Sequence, residues 1–295
     1  MTKPYFSKIE FYITNTCNLT CEQCNRFNNY NFRGWQRWSD YEAEYRRWSE
    51  LIDLKACSIM GGEPLLNPTI VDWVHGINDV FGIEVQILTN GTRFCQAPRG
   101  LYEAIAFAKP KSGCRNSIAV SLHNLNDLAE VESDICQFLQ GPITQMTQKP
   151  EQWGCDHQYV DRNGVMVNVY YQNTFWTASV QRSADGVYTL FDSNPADAHQ
   201  GCSFVKYKSY HFIAGKLYKC GPAALMPEFD LQYPFDISDQ DRELLHSYRP
   251  LTPDNFEDYC GEFLQSLENP IAQCKFCPVV KHAIKIAPVR KGYRQ

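Results

Sequence analysis

The chain has 295 residues, with 28 basic and 33 acidic side chains for a net charge of −5 and 44% apolar residues. That apolar share is enough for a sizeable core, the acidic balance argues against gripping nucleic acid through its phosphates, and no apolar run approaches the roughly 18 residues of a bilayer span. The first residues, Met1 to Phe6, lack the apolar stretch of a signal peptide, so the sequence predicts a cytoplasmic protein without a membrane segment.

In chain order, short β-like runs recur at Ile9–Ile13, Ala56–Met60, Ile83–Thr89, Ser117–Leu122, Val165–Tyr171 and Val187–Phe191. Segments with helical period lie between most of them. Ser39-Asp40-Tyr41-Glu42 reads as a capping box, followed by a stripe of Tyr41, Tyr45, Trp48 and Ile52. Asn67-Pro68 opens a second helix with Ile70, Val74, Ile77 and Phe81 in register. Leu128, Val131, Ile135 and Phe138 mark another. Strand alternating with helix predicts a parallel sheet with crossover helices, and six such strands suit an open or partial barrel with its functional loops at the strands' C-terminal ends. Gln145–Arg162 reads as a long loop. From about Ala196 the texture changes: Val205–Phe212 and Lys216–Cys220 flank the hairpin signature Ala214-Gly215, and Thr252-Pro253 precedes a helix bearing Phe256, Cys260, Phe263 and Leu267. A boundary is expected near residue 196, giving domains 1–195 and 196–295.

Thirteen cysteines are the informative excess. An odd number without a secretion signal argues against a disulfide scaffold and for metal or iron–sulfur ligation. The strongest cluster is Cys17, Cys21 and Cys24, directly after the first strand. Three thiolates at this spacing can hold three corners of a cubane and leave the fourth iron open to a small chelating molecule. A zinc site short of one ligand is the plainer alternative. Gly61-Gly62-Glu63-Pro64 follows the second strand, where glycines permit close backbone approach and a carboxylate suits an ammonium group.

These two motifs resemble the radical S-adenosylmethionine (SAM) superfamily, whose hallmark is Cys-x3-Cys-x2-Cys after the first barrel strand. The resemblance implies a partial (β/α)6 barrel, a SAM-binding [4Fe–4S] cluster on Cys17, Cys21 and Cys24, and contact of Gly61, Gly62, Glu63 and Pro64 with the methionyl ammonium. It further implies SAM contacts from Asn90, in Thr89-Asn90-Gly91-Thr92, and from Ser121, in Ser121-Leu122-His123-Asn124. His123 replaces the acid that relatives often carry; it reads as a hydrogen-bonded structural histidine or as a substrate contact. Relatives usually place an aromatic residue before the third cysteine, against the adenine; here Gln23 stands there, and its amide is one candidate for that role. Aromatics between Phe27 and Trp38 form either a lid or a packed surface loop. Asn168 and Tyr170 alternate with Val167 and Val169, so Asn168 is a ligand candidate if its face is the interior one.

Later in the chain, Cys202-x12-Gly215-x4-Cys220 and then Cys274-x2-Cys277 supply four cysteines in two pairs, which spacing alone assigns to zinc or to a cubane. This arrangement resembles the Twitch extension of radical SAM enzymes, a small α/β domain with an auxiliary [4Fe–4S] cluster. Cys260 reads as core. Cys57 and Cys136 are expected to be buried, and Cys155, beside Asp156 and His157, is a loop cysteine or a hydrogen donor to a substrate radical. The basic tail with Lys281, Lys285, Arg290, Lys291 and Arg294 is either solvated or a dock for an acidic electron carrier such as flavodoxin or ferredoxin.

What the resemblance implies is an enzyme that cleaves SAM to a 5′-deoxyadenosyl radical and abstracts hydrogen from a substrate carbon. A small-molecule substrate (sugar, cyclitol or nucleoside) is favoured, because with 16 residues before Cys17 no leader-binding domain fits at that end, and a net oxidation is expected, because a second cluster held by four cysteines could accept the further electron. Maturation of a ribosomally made peptide with a separate recognition partner, and a non-catalytic zinc or iron–sulfur protein, are the alternatives.

Overall fold

The structure, a computed structural model, describes residues 2–21, 24–27, 33–108, 110–111, 113, 115–146, 155–172, 174–176, 180–182, 185–279 and 283–285. Among them a nine-stranded mixed sheet organises the fold. In chain order its strands are β1 (Ile9–Tyr12), β2 (Cys57–Met60), β3 (Val85–Thr89), β4 (Ser117–Leu122), β5 (Ile143–Met146), β6 (His157–Asp161), β7 (Met166–Tyr171), β8 (Tyr210–Ile213) and β9 (Lys216–Tyr218). The spatial order is β9-β8-β1-β2-β3-β4-β7-β6-β5. The run from β8 to β7 is parallel throughout, and the antiparallel strands β9, β6 and β5 lie outside it.

Side-chain alternation explains the layers. Ile9 and Phe11, Cys57 and Ile59, Val85 and Ile87, Ile118 and Val120, and Val167 and Val169 are buried in the main core. That core also takes the inward stripes of α1 (Glu42–Leu51), α2 (Ile70–Phe81), α3 (Leu101–Phe107) and α4 (Leu128–Phe138). The intervening positions, including Glu10, Ser58, Met60, Ser121 and Asn168, therefore face the opposite side of the sheet. That second face carries the polar residues.

Several expectations are corrected. Instead of running from Val187 to Phe191, the expected sixth parallel strand shrinks to Tyr188–Thr189, paired antiparallel with Gln181–Arg182. The place beside β1 goes to Tyr210–Ile213, which buries all four residues where the earlier segment exposes Val187. Strands β5 and β6 occupy the ends of the expected loop, because Gln158 turns its amide to Asn168 on β7 while Tyr159 faces the core. At α1, Trp38–Asp40 forms a 3-10 turn and Tyr41 precedes the helix without a side-chain cap bond, so the capping box does not form. Cys136 is exposed, since Val131 and Ile135 take the core-facing positions of α4.

Other elements match. Asn67 Oδ1 accepts the Thr69 N–H at 2.9 Å ahead of α2, and Asn67 Nδ2 reaches the carbonyls of Ile13 and Gln36. The β8–β9 hairpin turns on Ala214 and Gly215, with φ of +48° and +71°, the signs a two-residue primed turn demands. Cys260 packs on the main core from helix Phe256–Glu268.

Candidate active site

The first four parallel strands end at one edge, and the loops leaving them build the site. After β1 the chain enters Thr14–Thr16 and then the cysteine loop. After β2 it makes the Gly61–Glu63 turn. The two loops are bonded together: Gly62 N–H donates to Thr14 O at 2.7 Å, and Glu63 N–H to Thr16 O at 2.8 Å. Gly61 has to be glycine here, because a Cβ would lie 2.4 Å from Thr14 O.

Glu63 is wholly buried, and its carboxylate is occupied within the protein. It accepts from Thr89 Oγ1 at 2.6 Å, Asn90 N at 2.8 Å and Leu65 N at 3.0 Å. Burial pushes its carboxyl above the usual range, and these three donors oppose that shift. The carboxylate thus joins the ends of β2 and β3. Asn90 then reaches the cysteine loop: its Nδ2 donates to Asn18 Oδ1 at 3.0 Å and lies 3.9 Å from Cys17 Sγ. Asn18 Nδ2 donates in turn to Thr92 Oγ1 at 2.7 Å.

Cys17, Cys21 and Cys24 pack together around Leu19. Cys21 and Cys24 line a cavity of about 190 Å³, together with Gly61, Gly62, Asn90 and Ser121. The structure therefore gathers six of the cluster- and SAM-site candidates around one space. Glu63 and Pro64 lie behind that wall. Asn168 sits one step deeper on the same face: it pairs with Ala119 and accepts Gln158 Nε2 at 2.8 Å. Cys155 is fully buried, with Sγ 3.8 Å from Asn168 Oδ1. Gln23 and Cys114 lie outside the described residues, as do residues 28–32 and, apart from 283–285, the basic tail.

His123 lines the cavity and donates Nδ1–H to Gln172 O at 2.8 Å. Burial lowers its pKa, against that bond. Sequence reasoning missed Arg26, which lines the cavity while its Nη2 meets Glu10 at 3.2 Å and Met60 Sδ at 3.3 Å. Glu10 also meets His211 Nε2 at 2.8 Å, across the β1–β8 register. Burial alone would raise the Glu10 carboxyl, but His211 and Arg26 outweigh it and hold it at about 2. Burial and the Arg26 cation keep His211 below its ordinary value. A lone acidic residue in a β-run was the signal for Glu10; nothing in sequence linked it to residues 26 and 211.

Residues 11–140 match the family model described as the Radical SAM superfamily. That stretch is similar to the radical SAM superfamily. A curated relative, a probable GTP 3′,8-cyclase of Methanothermobacter thermautotrophicus, is 32% identical over 114 residues, covering 39% of this chain and 34% of that protein. The chain spans about a third of the length of that curated relative. Among solved structures, Streptococcus suis SuiB bound to S-adenosylmethionine is 22% identical, with a TM-score of 0.34 over 43% of this chain and 28% of that one. The anSMEcpe enzyme with bound AdoMet and Cp18Cys peptide is 15% identical, with a TM-score of 0.36 over 58% and 44%.

The superfamily that this stretch resembles uses SAM and a [4Fe–4S] cluster, and the donor set of the cysteine loop suits such a cluster. No three Cys, His, Asp or Glu side chains among the described residues converge on a single ion. A cubane takes one thiolate per iron, so its ligands stand apart rather than on one point. Three thiols on one loop beside the cavity suit that donor set. The buried Tyr12 hydroxyl lacks a hydrogen-bond partner among the described residues and lies within electrostatic reach of Cys17 and Cys24, which fits a site that holds a further acceptor.

In the C-terminal part, Cys220, Cys274 and Cys277 line a separate cavity of about 20 Å³, and Cys202 lies within electrostatic reach of Cys220. Burial pushes the Cys220 thiol up to about 12. Lys219 and His199 stand beside this set, and neither was flagged by spacing. His199 Nε2 is buried without a hydrogen-bond partner among the described residues. No helix among the described residues is long and apolar enough to cross a membrane.

Proposed function

We propose that the chain is a radical SAM enzyme that carries out a net oxidation of a small molecule, in the manner of a dehydrogenase. The observation that carries this reading is the shared cavity, where the cysteine loop, the Gly61-Gly62 turn, Asn90 and Ser121 meet. Cys17, Cys21 and Cys24 would hold the SAM-binding cluster. When bound, the cluster and SAM together supply a 5′-deoxyadenosyl radical that removes hydrogen from carbon. The protein's own part is positional. Gly61 and Gly62 line the space, Glu63 fixes the end of their turn against Asn90, and Ser121, Arg26 and His123 line the same space. Closely packed β-strands exclude water below it.

Cys202, Cys220, Cys274 and Cys277, all in the expected C-terminal domain of residues 196–295, would hold an auxiliary [4Fe–4S] cluster of Twitch type. Bound there, such a cluster supplies an electron acceptor, which is what a net oxidation requires after hydrogen abstraction. The reductant for the first cluster would be a cytoplasmic flavodoxin or ferredoxin. The curated relative's printed substrate, GTP, is a nucleotide, in keeping with a small-molecule substrate. The test is anaerobic reconstitution with iron and sulfide, followed by a reductant and SAM. Methionine and 5′-deoxyadenosine should appear together, and should vanish when Cys17, Cys21 and Cys24 are replaced by Ala. Iron-loaded protein that neither binds nor cleaves SAM would leave a non-catalytic iron–sulfur protein.

A further inference from the structure

Lys219 lies between β9 and helix Gly221–Gln232 and is only 4% exposed. Its Nζ donates to the main-chain carbonyls of Ser266 and Asn269, at the C-terminal end of helix Phe256–Glu268. Those two carbonyls take two of the three ammonium donors and carry the partial negative charge of a helix end. They do not neutralise a full positive charge. Among the described residues no carboxylate lies within the 4.0 Å of an ion pair with Lys219. Glu268, the acidic group facing it, is paired with Lys208 at 3.4 Å. A buried cation without a counter-ion is costly, so a fold that keeps one needs an anion nearby.

Besides those carbonyls and Glu268, the groups around Lys219 are the His199 imidazole and cysteine sulfurs. It adjoins Cys220 in sequence and is within electrostatic reach of Cys202 and Cys274, while Cys220, Cys274 and Cys277 share one small cavity. As neutral thiols they offer no counter-charge. As thiolates on a metal centre they carry net negative charge. We propose that Lys219 is the internal counter-cation of the iron–sulfur centre held by Cys202, Cys220, Cys274 and Cys277, and that it biases this centre toward its reduced form. The inference rests on the auxiliary-cluster reading, and it adds the residue that adapts the cluster to accept an electron.

The experiment uses the full chain with Cys17, Cys21 and Cys24 replaced by Ala, so that only the second centre contributes. This parent is compared with its Lys219→Gln and Lys219→Arg versions, each loaded anaerobically and each metal-free. Iron per chain, the midpoint of an EPR-monitored redox titration and thermal unfolding are read. Gln keeps a donor for one helix carbonyl but removes the charge. Lys219→Gln should shift the midpoint to more negative potential, lower the unfolding temperature of the loaded form and raise that of the metal-free form. Lys219→Arg should keep the parent midpoint. An equal loss of stability in both forms with an unchanged midpoint, or failure to fold even without metal, would make Lys219 a helix cap and overturn the proposal. A parent that holds no iron sinks the auxiliary-cluster reading itself, and Lys219 falls with it, whereas an iron-loaded parent with an unresponsive midpoint sinks only the role of Lys219.

Discussion

The Thr89 hydroxyl donates to Glu63 Oε1 at 2.6 Å, tying the end of β3 to the turn that follows β2. The carboxylate looks from sequence like a ligand for an ammonium group; Oε1 accepts from Thr89 and Leu65, and Oε2 accepts from Asn90. Glu63→Gln puts an amide N–H₂ among three donors. Loss of satisfied acceptors at a buried position costs roughly 1–3 kcal/mol. Urea unfolding should therefore show a lower midpoint. SAM affinity should fall with it, because the Gly61-Gly62 turn loosens. Calorimetry showing weaker SAM binding at unchanged stability would instead return the carboxylate to direct contact.

Gly61 gives a sharper test of the same wall. A Cβ there meets Thr14 O at 2.4 Å, and the obstacle is backbone that cannot rotate away. Gly61→Ala should push Thr14–Thr16 outward and carry the cysteine loop with it. Overpacking of this kind costs about 1–3 kcal/mol. The variant should fold with reduced stability and retain less iron at the first site, read as iron per chain in a background lacking the four C-terminal cysteines.

Much of this site was legible because its residues are close in sequence to strand ends. Cys17 to Cys24, Gly61 to Pro64, Asn90 and Ser121 each follow a strand whose alternation is plain, and parallel strands bring their ends to one edge. The polar face was harder. Glu10, Arg26 and His211 are scattered along the chain, and only the β1–β8 register joins them. That register was missed because Tyr210–Ile213 reads as the start of a local hairpin, which it also is. The strands β5 and β6 were hidden by polar residues such as Gln158, which point inward to Asn168 rather than to solvent. Lys219 carries no sequence signal at all; its meaning comes from the helix end that it reaches.

Metal content separates the two cysteine sets. Cys17, Cys21 and Cys24 pack around Leu19, and Cys220, Cys274 and Cys277 line a different cavity. Reconstituted protein should hold about eight irons per chain, as two [4Fe–4S] clusters. Alanine at the first three cysteines should remove about half and abolish SAM-dependent spectral change. Alanine at Cys274 and Cys277 should remove the other half and leave SAM cleavage in place. Stoichiometric zinc at the second site would contradict the auxiliary-cluster reading.

Glu10 makes the polar face sensitive to acid. Its carboxyl is buried, and the surrounding His211 and Arg26 hold it at about 2 in the folded state, below an ordinary value of 4.5. A depressed carboxyl stabilises the fold fully above its unfolded pKa, and that contribution is lost as pH falls through the folded one. The window therefore runs from about 4.5 down to about 2. At 1.36 kcal/mol per unit the contribution is about 3 kcal/mol. Other paired carboxylates, such as Asp230 with Arg242 and His246, titrate in acid as well, so the difference between wild type and Glu10→Gln isolates this one. Urea unfolding of the metal-free proteins should show wild type more stable at pH 6 and the gap narrowed to less than half by pH 3. A gap that stays constant across that range would mean that packing around residue 10, rather than its charge, holds the cysteine loop to β8.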